Sequence, residues 1–507
     1  MILDMNNLPS DVTILHKIIA ELAQEVMALK KQLLLLRAKK YGKSSEKKQK
    51  ELEEAIDQKL EQIELCIEEV EGLNCVEKED PETQKPKRKP LPDHLPRDEI
   101  GIEPDPICPS CGSDKFRKIS DDVSEVLDYK PASFRVKRYV RPRCACVSCE
   151  QIVQAYAPSH TINKGKAAPT LLAHVIIQKY GNHLPLYRQS QIYAREGIDL
   201  SRSTMAHWVG QTARLLEPLI AEIRSYVFAS SHLHGDDTPV KVLAPGLEKT
   251  KVGRIWTYVR DGRPYGDASP PAVCYFYSPD RKSERPAKHL TDFKGVFHAD
   301  AYAGYDQLYQ TASNPEAMIV EAACWAHGRR KFYDVVVTHP KATIATYVLD
   351  QIGKIYAIEA DLNGLPASEK LKARQEKSKP LVDDLFESMR KFYDKVPPKS
   401  ETAKAITYMF NHETAFRRFL EDGKIDIDNN AAERAIRAIA LGRKNWLFAG
   451  SDFGGEAAAA MYTLIETLKL NQINPWAYLS KVLEIIQDHP ITKIHELLPW
   501  NLKLSDT

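Results

Sequence analysis

The chain has 507 residues, 43% hydrophobic and 28% charged, with a net charge of only +2. That is room for several domains, in the composition of an ordinary soluble protein. No apolar run approaches a membrane span and the N-terminus lacks a basic-then-apolar signal pattern, so a cytoplasmic protein with no membrane partner is expected.

The near-neutral total hides blocks of opposite sign. Residues 37–50 carry seven Lys or Arg and one Glu, whereas residues 51–82 carry thirteen Asp or Glu and two Lys. Ahead of both, a heptad repeat places Val12, Ile19, Val26 and Leu33 at one core position and Leu15, Leu22, Leu29 and Leu36 at the other. β-Branched residues at a with leucine at d favour a parallel two-stranded coiled coil, so a homodimer or higher oligomer is expected. An amphipathic helix packed on its own domain is the alternative. The basic "RAKKYGKSSEKKQK" beyond the zipper suits DNA phosphates, and equally a solvated linker. The acidic stretch reads as a spacer, and Pro-rich "KPKRKPLPDHLP" marks a linker.

Five of the nine cysteines lie between Cys108 and Cys149. In a cytosolic chain such clustering reads as metal binding. "CPSCG" supplies Cys108 and Cys111, and "CACVSC" supplies Cys144, Cys146 and Cys149. Two Cys-x-x-Cys turns set four thiolates around a structural Zn²⁺. The regular spacing to Cys149 favours Cys146 over Cys144. The alternating segment between the pairs reads as a hairpin, giving a zinc ribbon. Its Lys137, Arg138, Arg141 and Arg143 offer a basic face to a DNA backbone.

"LPLYRQSQIYAREGIDLSRSTMAHWVGQTARLL" reads as a helix, a turn at Gly197, a Ser201 cap and a second helix carrying Arg202 and His207. These are the proportions of a helix-turn-helix, and also of an ordinary αα-hairpin.

Short strand-like segments then predict an α/β core with a mixed sheet. Asp236 falls on or at the end of its first strand and Asp300 ends the fourth. Strand ends are where sites form in such sheets. Two neighbouring aspartates repel unless a cation joins them, and Mg²⁺ prefers such hard oxygen ligands. Glu433, on a helix otherwise rich in arginine, is read as a surface salt-bridge partner or as the third carboxylate that completes a two-metal site. Asp237 points to the opposite strand face. Cys324 and His327 are read on one helix face, where they buttress the carboxylates, ligate metal or simply pack. Trp446 is read as a core residue or as a base-stacking platform.

The blocks "LHGDDTPVKVL", "HADAYAGYDQLY", "VEAACWAHGRRKFYD" and "IDNNAAERAIRAIALGRKNWLFAGSDFGGEAAA" closely resemble the transposases of the insertion sequence 66 family. The zipper, "YGKSSEK", the cysteine pairs and "HLPLYRQSQIYAREGIDLSRST" are similar to that family too, in the same order. The resemblance implies a ribonuclease-H-like core with an Asp-Asp-Glu triad, here Asp236, Asp300 and Glu433, holding Mg²⁺ or Mn²⁺. It also implies that Cys108, Cys111, Cys146 and Cys149 are the Zn²⁺ set, with Cys144 spare. Double-stranded DNA (element ends and target) is then the partner, in a bacterial cytoplasm at the nucleoid, with accessory proteins of the same element.

The expected fold is multidomain, α+β and α/β. A coiled coil and charged arm fill 10–82, a linker 83–100, the zinc ribbon 101–158 and a helix-turn-helix-like domain 165–228. The catalytic core takes 229–337 and 423–470, interrupted by a helical insertion at 338–422, and a C-terminal helical segment takes 471–507. The expected activity is DNA cleavage at terminal inverted repeats followed by strand transfer. A structure-selective nuclease on the same core and a non-catalytic DNA-binding regulator are the competing readings.

Overall fold

The computed structural model describes residues 91–504, apart from 92, 94, 131–132, 163–164, 245–249, 301, 310–317 and 340. The heptad repeat and both charge blocks lie outside the described residues.

The first sheet contains β1 (Arg97–Gly101), β2 (Phe116–Lys130), β3 (Ser133–Cys146) and β4 (Ile152–Gln154). β2 and β3 form a long antiparallel hairpin, β1 joins β3 in parallel, and β4 pairs with the end of β3. The sheet thus begins inside the stretch expected to be linker, because charged Arg97–Gly101 gains backbone partners on β3 and Arg97 bonds Glu125. The expected basic face is largely neutralised. Arg141 pairs with Asp122, Lys137 lies 3.2 Å from Asp128, and Arg138 lies 4.0 Å from Glu125. These acids on β2 stand opposite or diagonal to the bases of β3, the arrangement that favours opposite charges.

Three helices follow: α1 (Pro169–Ile176), α2 (Leu186–Arg195) and α3 (Arg202–Phe228). Gly197 makes the intervening turn at φ +78°, a conformation that costs glycine nothing. The Ser201 hydroxyl accepts the Thr204 N–H at 3.1 Å and caps α3. His207 stays exposed on the first turns. From Met205 onward α3 buries Trp208, Val209, Leu216, Leu219, Ile220, Ile223 and Val227. That stripe at three- and four-residue spacing makes α3 a wall of the main core. The helix pair and the second sheet therefore share one hydrophobic cluster, which also takes in Tyr129, Phe134 and Val136 of the ribbon.

The second sheet comprises β5 (His232–Val242), β6 (Lys251–Arg260), β7 (Ala272–Ser278), β8 (Gly295–Ala299) and β9 (Ile319–Ala323), with α4 (Glu284–His289) between β7 and β8. Its order is β7-β6-β5-β8-β9. The first three strands are antiparallel, and β5, β8 and β9 run parallel. β9 was not anticipated, because five residues ahead of a helix give no readable period.

Next come α5 (Trp325–Thr338), α6 (Thr343–Asp361), α7 (Ala367–Ala373), α8 (Lys379–Tyr393), α9 (Glu401–Asn411) and α10 (Glu413–Arg417). They enclose a second cluster around Trp325, Phe332, Ile352, Phe386, Met389 and Phe416. Buried Arg374 forks onto Glu359 at 2.8 and 2.6 Å and donates to the carbonyls of Phe419, Asp422 and Ile425. One guanidinium thereby satisfies the chain as it leaves the helical insertion.

The chain then forms α11 (Asn430–Trp446), α12 (Asp452–Leu470) and α13 (Pro475–Ile485). α12 lies along β7. Thr463 Oγ1 accepts the Tyr275 N–H at 3.0 Å, while Thr467 Oγ1 accepts the Val273 N–H and donates to the Val273 carbonyl. The edge strand's backbone groups are paired by side chains rather than left open. Among the described residues no helix is long and apolar enough to cross a membrane.

Candidate active site

Parallel pairing of β5 with β8 matches His232 with Val296, Leu233 with Phe297 and His234 with His298. Continued two residues, this register sets Asp236 level with Asp300. Asp236 lies within β5 rather than at its end, but β8 has already stopped, so both carboxylates sit where the parallel part of the sheet opens. Asp236 Oδ1 accepts the Asp237 N–H at 2.7 Å. Burial, then the charge of Asp300, pushes the Asp236 carboxyl up to about 7. Burial likewise raises Asp300, against an opposing effect of His327. Asp300 Oδ1 is buried without a hydrogen-bond partner.

Glu433 comes in on the first turn of α11, with its Oε1 3.6 Å from His327 Nδ1. It adds to the charge that raises both aspartates. The three carboxylates act on one another's charge, but among the described residues their oxygens do not converge within 4.8 Å as the ligand atoms of Cys324, His327 and Glu433 do. Hard oxygen ligands, one of them buried and unpartnered, suit a divalent cation that would draw them together.

Asp237 is different in kind. Its side chain is fully buried, and its two oxygens take Arg254 Nη1 at 2.9 Å and Arg281 Nη2 at 2.7 Å. It is already compensated, which separates it from the other three.

Asn429 positions α11; the sequence marks it only as a helix cap, and its contacts with β5 are not signalled locally. Fully buried, it donates from Nδ2 to the Gly235 carbonyl at 2.8 Å, and its Oδ1 lies 3.2 Å from His234 Nδ1. Its N–H donates to Cys324 Sγ at 3.2 Å. Cys324 is thus the residue capping α5, not a member of that helix, and burial pushes its thiol up to about 12. Cys324, His327 and Glu433 bring ligand atoms within 4.8 Å of one another. Farther along α11, Arg443 Nη1 donates to Thr238 Oγ1 at 2.8 Å and ties the helix to β5. Trp446 is buried in the main core.

Gly235 allows this approach. A Cβ there would stand 2.2 Å from the Phe297 ring, which is itself buried. Gly235→Ala is expected to cost about 1–3 kcal/mol in denaturant unfolding, as overpacked sites do, and to lower activity through the displaced Asp236. Wild-type stability in the variant would refute this account of the glycine.

The raised Asp236 carboxyl also fixes a pH dependence. Between its unfolded value near 3.8 and its folded value of about 7 the folded protein binds the extra proton. In metal-free protein this stability is therefore present below about pH 4 and is lost as pH rises through 7. The loss is on the order of 2–4 kcal/mol. Thermal unfolding from pH 5 to 8 should show a shallower slope for Asp236→Asn than for wild type; equal slopes would contradict the assignment.

In the ribbon, Cys108, Cys111, Cys146 and Cys149 place their sulfurs within 4.8 Å of one another. Cys108 and Cys149 are 3.6 Å apart, as are Cys111 and Cys146. Cys144 is instead a buried residue within β3, paired in register with Lys118 on β2 and Val153 on β4, and stands outside this cluster. Four convergent thiols on two tight turns are a tetrahedral zinc set.

Comparison with known proteins places both segments in one family and supports the zinc centre. The family model for the transposase IS66 family matches residues 164–457, and that for the zinc-finger binding domain of transposase IS66 matches 105–150. The IS66 C-terminal element matches 463–500, and the model described as transposase C of IS166 homeodomain matches 28–100. Among curated relatives, the uncharacterized protein y4hP of Sinorhizobium fredii (strain NBRC 101917 / NGR234) is 42% identical over 83% of this chain and 78% of its own length. The uncharacterized protein y4qI of the same strain is 40% identical over 87% of this chain and 84% of its own length. With its four zinc-site thiols and a family match that spans both clustered aspartates and Glu433, the chain belongs to the IS66 family of transposases.

Proposed function

We propose that this transposase cleaves DNA at the terminal inverted repeats of an insertion sequence and transfers the freed strands into target DNA, using Asp236, Asp300 and Glu433. The observation that carries the reading is the level placement, on adjacent strands, of two aspartates whose carboxyls are raised by burial, with Glu433 on the first turn of α11 near enough to add its charge to both. The strand order β7-β6-β5-β8-β9, antiparallel and then parallel, supports a ribonuclease-H-like core.

Asp236 and Asp300, joined by Glu433, would hold two Mg²⁺ or Mn²⁺ ions. Such ions supply Lewis-acid activation of the attacking oxygen and neutralise charge on the leaving oxygen of an in-line displacement. The residues' own task is to stay ionised and fixed. Asn429 holds the start of α11 on β5, so Glu433 arrives at a set depth. Water is the attacking group in cleavage and a DNA 3′-hydroxyl in joining, so no side-chain nucleophile is required. Arg434, Arg437 and Lys444 form an exposed stripe on α11 beside Glu433 and suit the phosphates that flank the bond. The ribbon and the α2–α3 pair would read the terminal repeat, and the heptad repeat would pair protomers holding two ends. The setting is the bacterial cytoplasm, at the nucleoid, with accessory proteins of the element.

Purified full-length protein with Mg²⁺, a labelled terminal-repeat duplex and a plasmid target tests this. Cleavage with joining is expected. Cleavage that never leads to joining would favour a nuclease and overturn the proposal. Specific binding without cleavage, unchanged by the element's accessory proteins, would favour a regulator.

A further inference from the structure

Asp237 carries an imbalance that its role as a buried anchor does not explain. One carboxylate faces two guanidinium groups, so the cluster holds a surplus positive charge. Arg254 lies on β6. Arg281 follows β7 and is the more exposed of the two, with 36% of its side chain accessible against 21%. Arg281 uses Nε and Nη2 on one oxygen of Asp237, at 3.0 and 2.7 Å. Its guanidinium lies over the Tyr302 ring at 3.8 Å, and the Tyr302 hydroxyl donates to the Arg281 carbonyl. A carboxylate on one edge and a ring on one face leave a rigid fork whose Nη1 makes no hydrogen bond among the described residues. Tyr302 is two residues past Asp300, and the charge of Arg281 already stabilises the ionised form of Asp300.

A guanidinium cannot ligate a metal. A pre-oriented fork with unused donors is instead suited to bidentate recognition of phosphate. The Tyr302 hydroxyl ties the Arg281 backbone to the chain two residues past Asp300, so the fork is fixed relative to that carboxylate. We infer that Arg281 is a substrate-binding residue that grips a non-bridging oxygen of the DNA phosphodiester at the cleavage site, with Asp237 and Tyr302 as its positioning residues. This inference rests on the proposed transposase activity. It assigns the second acidic residue of "DD" to aiming an arginine rather than to holding a cation. It also gives the site a fixed cation where negative charge builds on the phosphoryl oxygens during displacement.

The test uses the full chain, Arg281→Ala and Arg281→Lys, with terminal-repeat duplexes in which one phosphate at a time near the cleaved bond is a neutral methylphosphonate. Dissociation constants are measured in Ca²⁺, to keep the DNA intact, and cleavage of the unmodified duplex is measured in Mg²⁺. Arg281→Ala is expected to cut cleavage roughly 10–100-fold, the range for a hydrogen bond to a charged group. At one phosphate, neutralisation should weaken wild-type binding about tenfold and leave Arg281→Ala unaffected, because the contact is already gone. Arg281→Lys should recover only part of the cleavage rate, since it restores charge but not the fork. Independent penalties at every phosphate, or Arg281→Ala cleaving at the wild-type rate, would overturn the inference while leaving the transposase reading intact. A wild type that neither cleaves nor joins would overturn both. A purely structural role would lower the melting temperature and weaken binding to all duplexes alike, which also overturns it.

Discussion

Asp300→Asn is expected to reduce both end cleavage and joining by roughly 10²–10³-fold, the scale at which removing a group that stabilises developing charge is felt. The amide keeps the shape of the carboxylate and removes its charge. Because burial outweighs the favourable charges of His327 and Arg281 at Asp300 in the metal-free protein, and Oδ1 is buried and unpartnered, melting temperature should hold or rise. Asp236→Asn and Glu433→Gln should behave alike. Asp237→Asn makes the contrast. It strips two guanidiniums of a fully buried partner, and breaking such a pair costs about 3–5 kcal/mol. Two adjacent aspartates are therefore expected to differ in sign: loss of activity without loss of stability at 236, loss of stability at 237. Calorimetry and strand-joining assays on the same preparations decide this. A destabilised but active Asp300→Asn would remove Asp300 from the site.

Cys146→Ser is expected to abolish zinc retention, which should be one ion per chain in wild type and unchanged in Cys144→Ser. Structural zinc contributes about 10–16 kcal/mol to the fold of the segment that binds it, so chelation should open the knuckle end of the ribbon. It should not open the other end. There Tyr129, Phe134 and Val136 belong to the main core, and Leu127 exchanges backbone hydrogen bonds with Lys166 and Ala168. Hydrogen exchange after chelation should show protection lost around Cys108–Cys111 and Cys146–Cys149 and kept near the β2–β3 turn. Uniform loss along the hairpin would refute this division, and Cys144→Ser without zinc would refute the ligand set.

The cysteine set was legible because each zinc knuckle is local, four residues long and chemically specific. The acidic residues were legible as members of family-like blocks, and the register of β5 on β8 is what sets two of them level. What escaped reading depends on distant contacts. Asn429 meets Gly235 across 194 positions, and a buried asparagine before a helix looks like any cap. Arg281 gained meaning only once Asp237 was seen to be fully buried. The acids that neutralise the ribbon's bases belong to the same hairpin, yet strand alternation alone does not give the register that pairs them. The start of α3 was legible from its Ser201 cap, but its apolar stripe and its packing against the sheet were not.

The threonines that pair with β7 also set an order of events. Val273 and Tyr275 wait for partners 194 and 188 residues later in the chain. At roughly 5–20 residues per second of synthesis, that strand edge is exposed for roughly 10–40 s on the ribosome. α11, which brings Glu433, is made just before α12, so the proposed carboxylate set is completed and the sticky edge is closed almost together. A chain truncated between the two would carry all three carboxylates and still present an open strand to its neighbours, making it prone to aggregate before it ever met DNA.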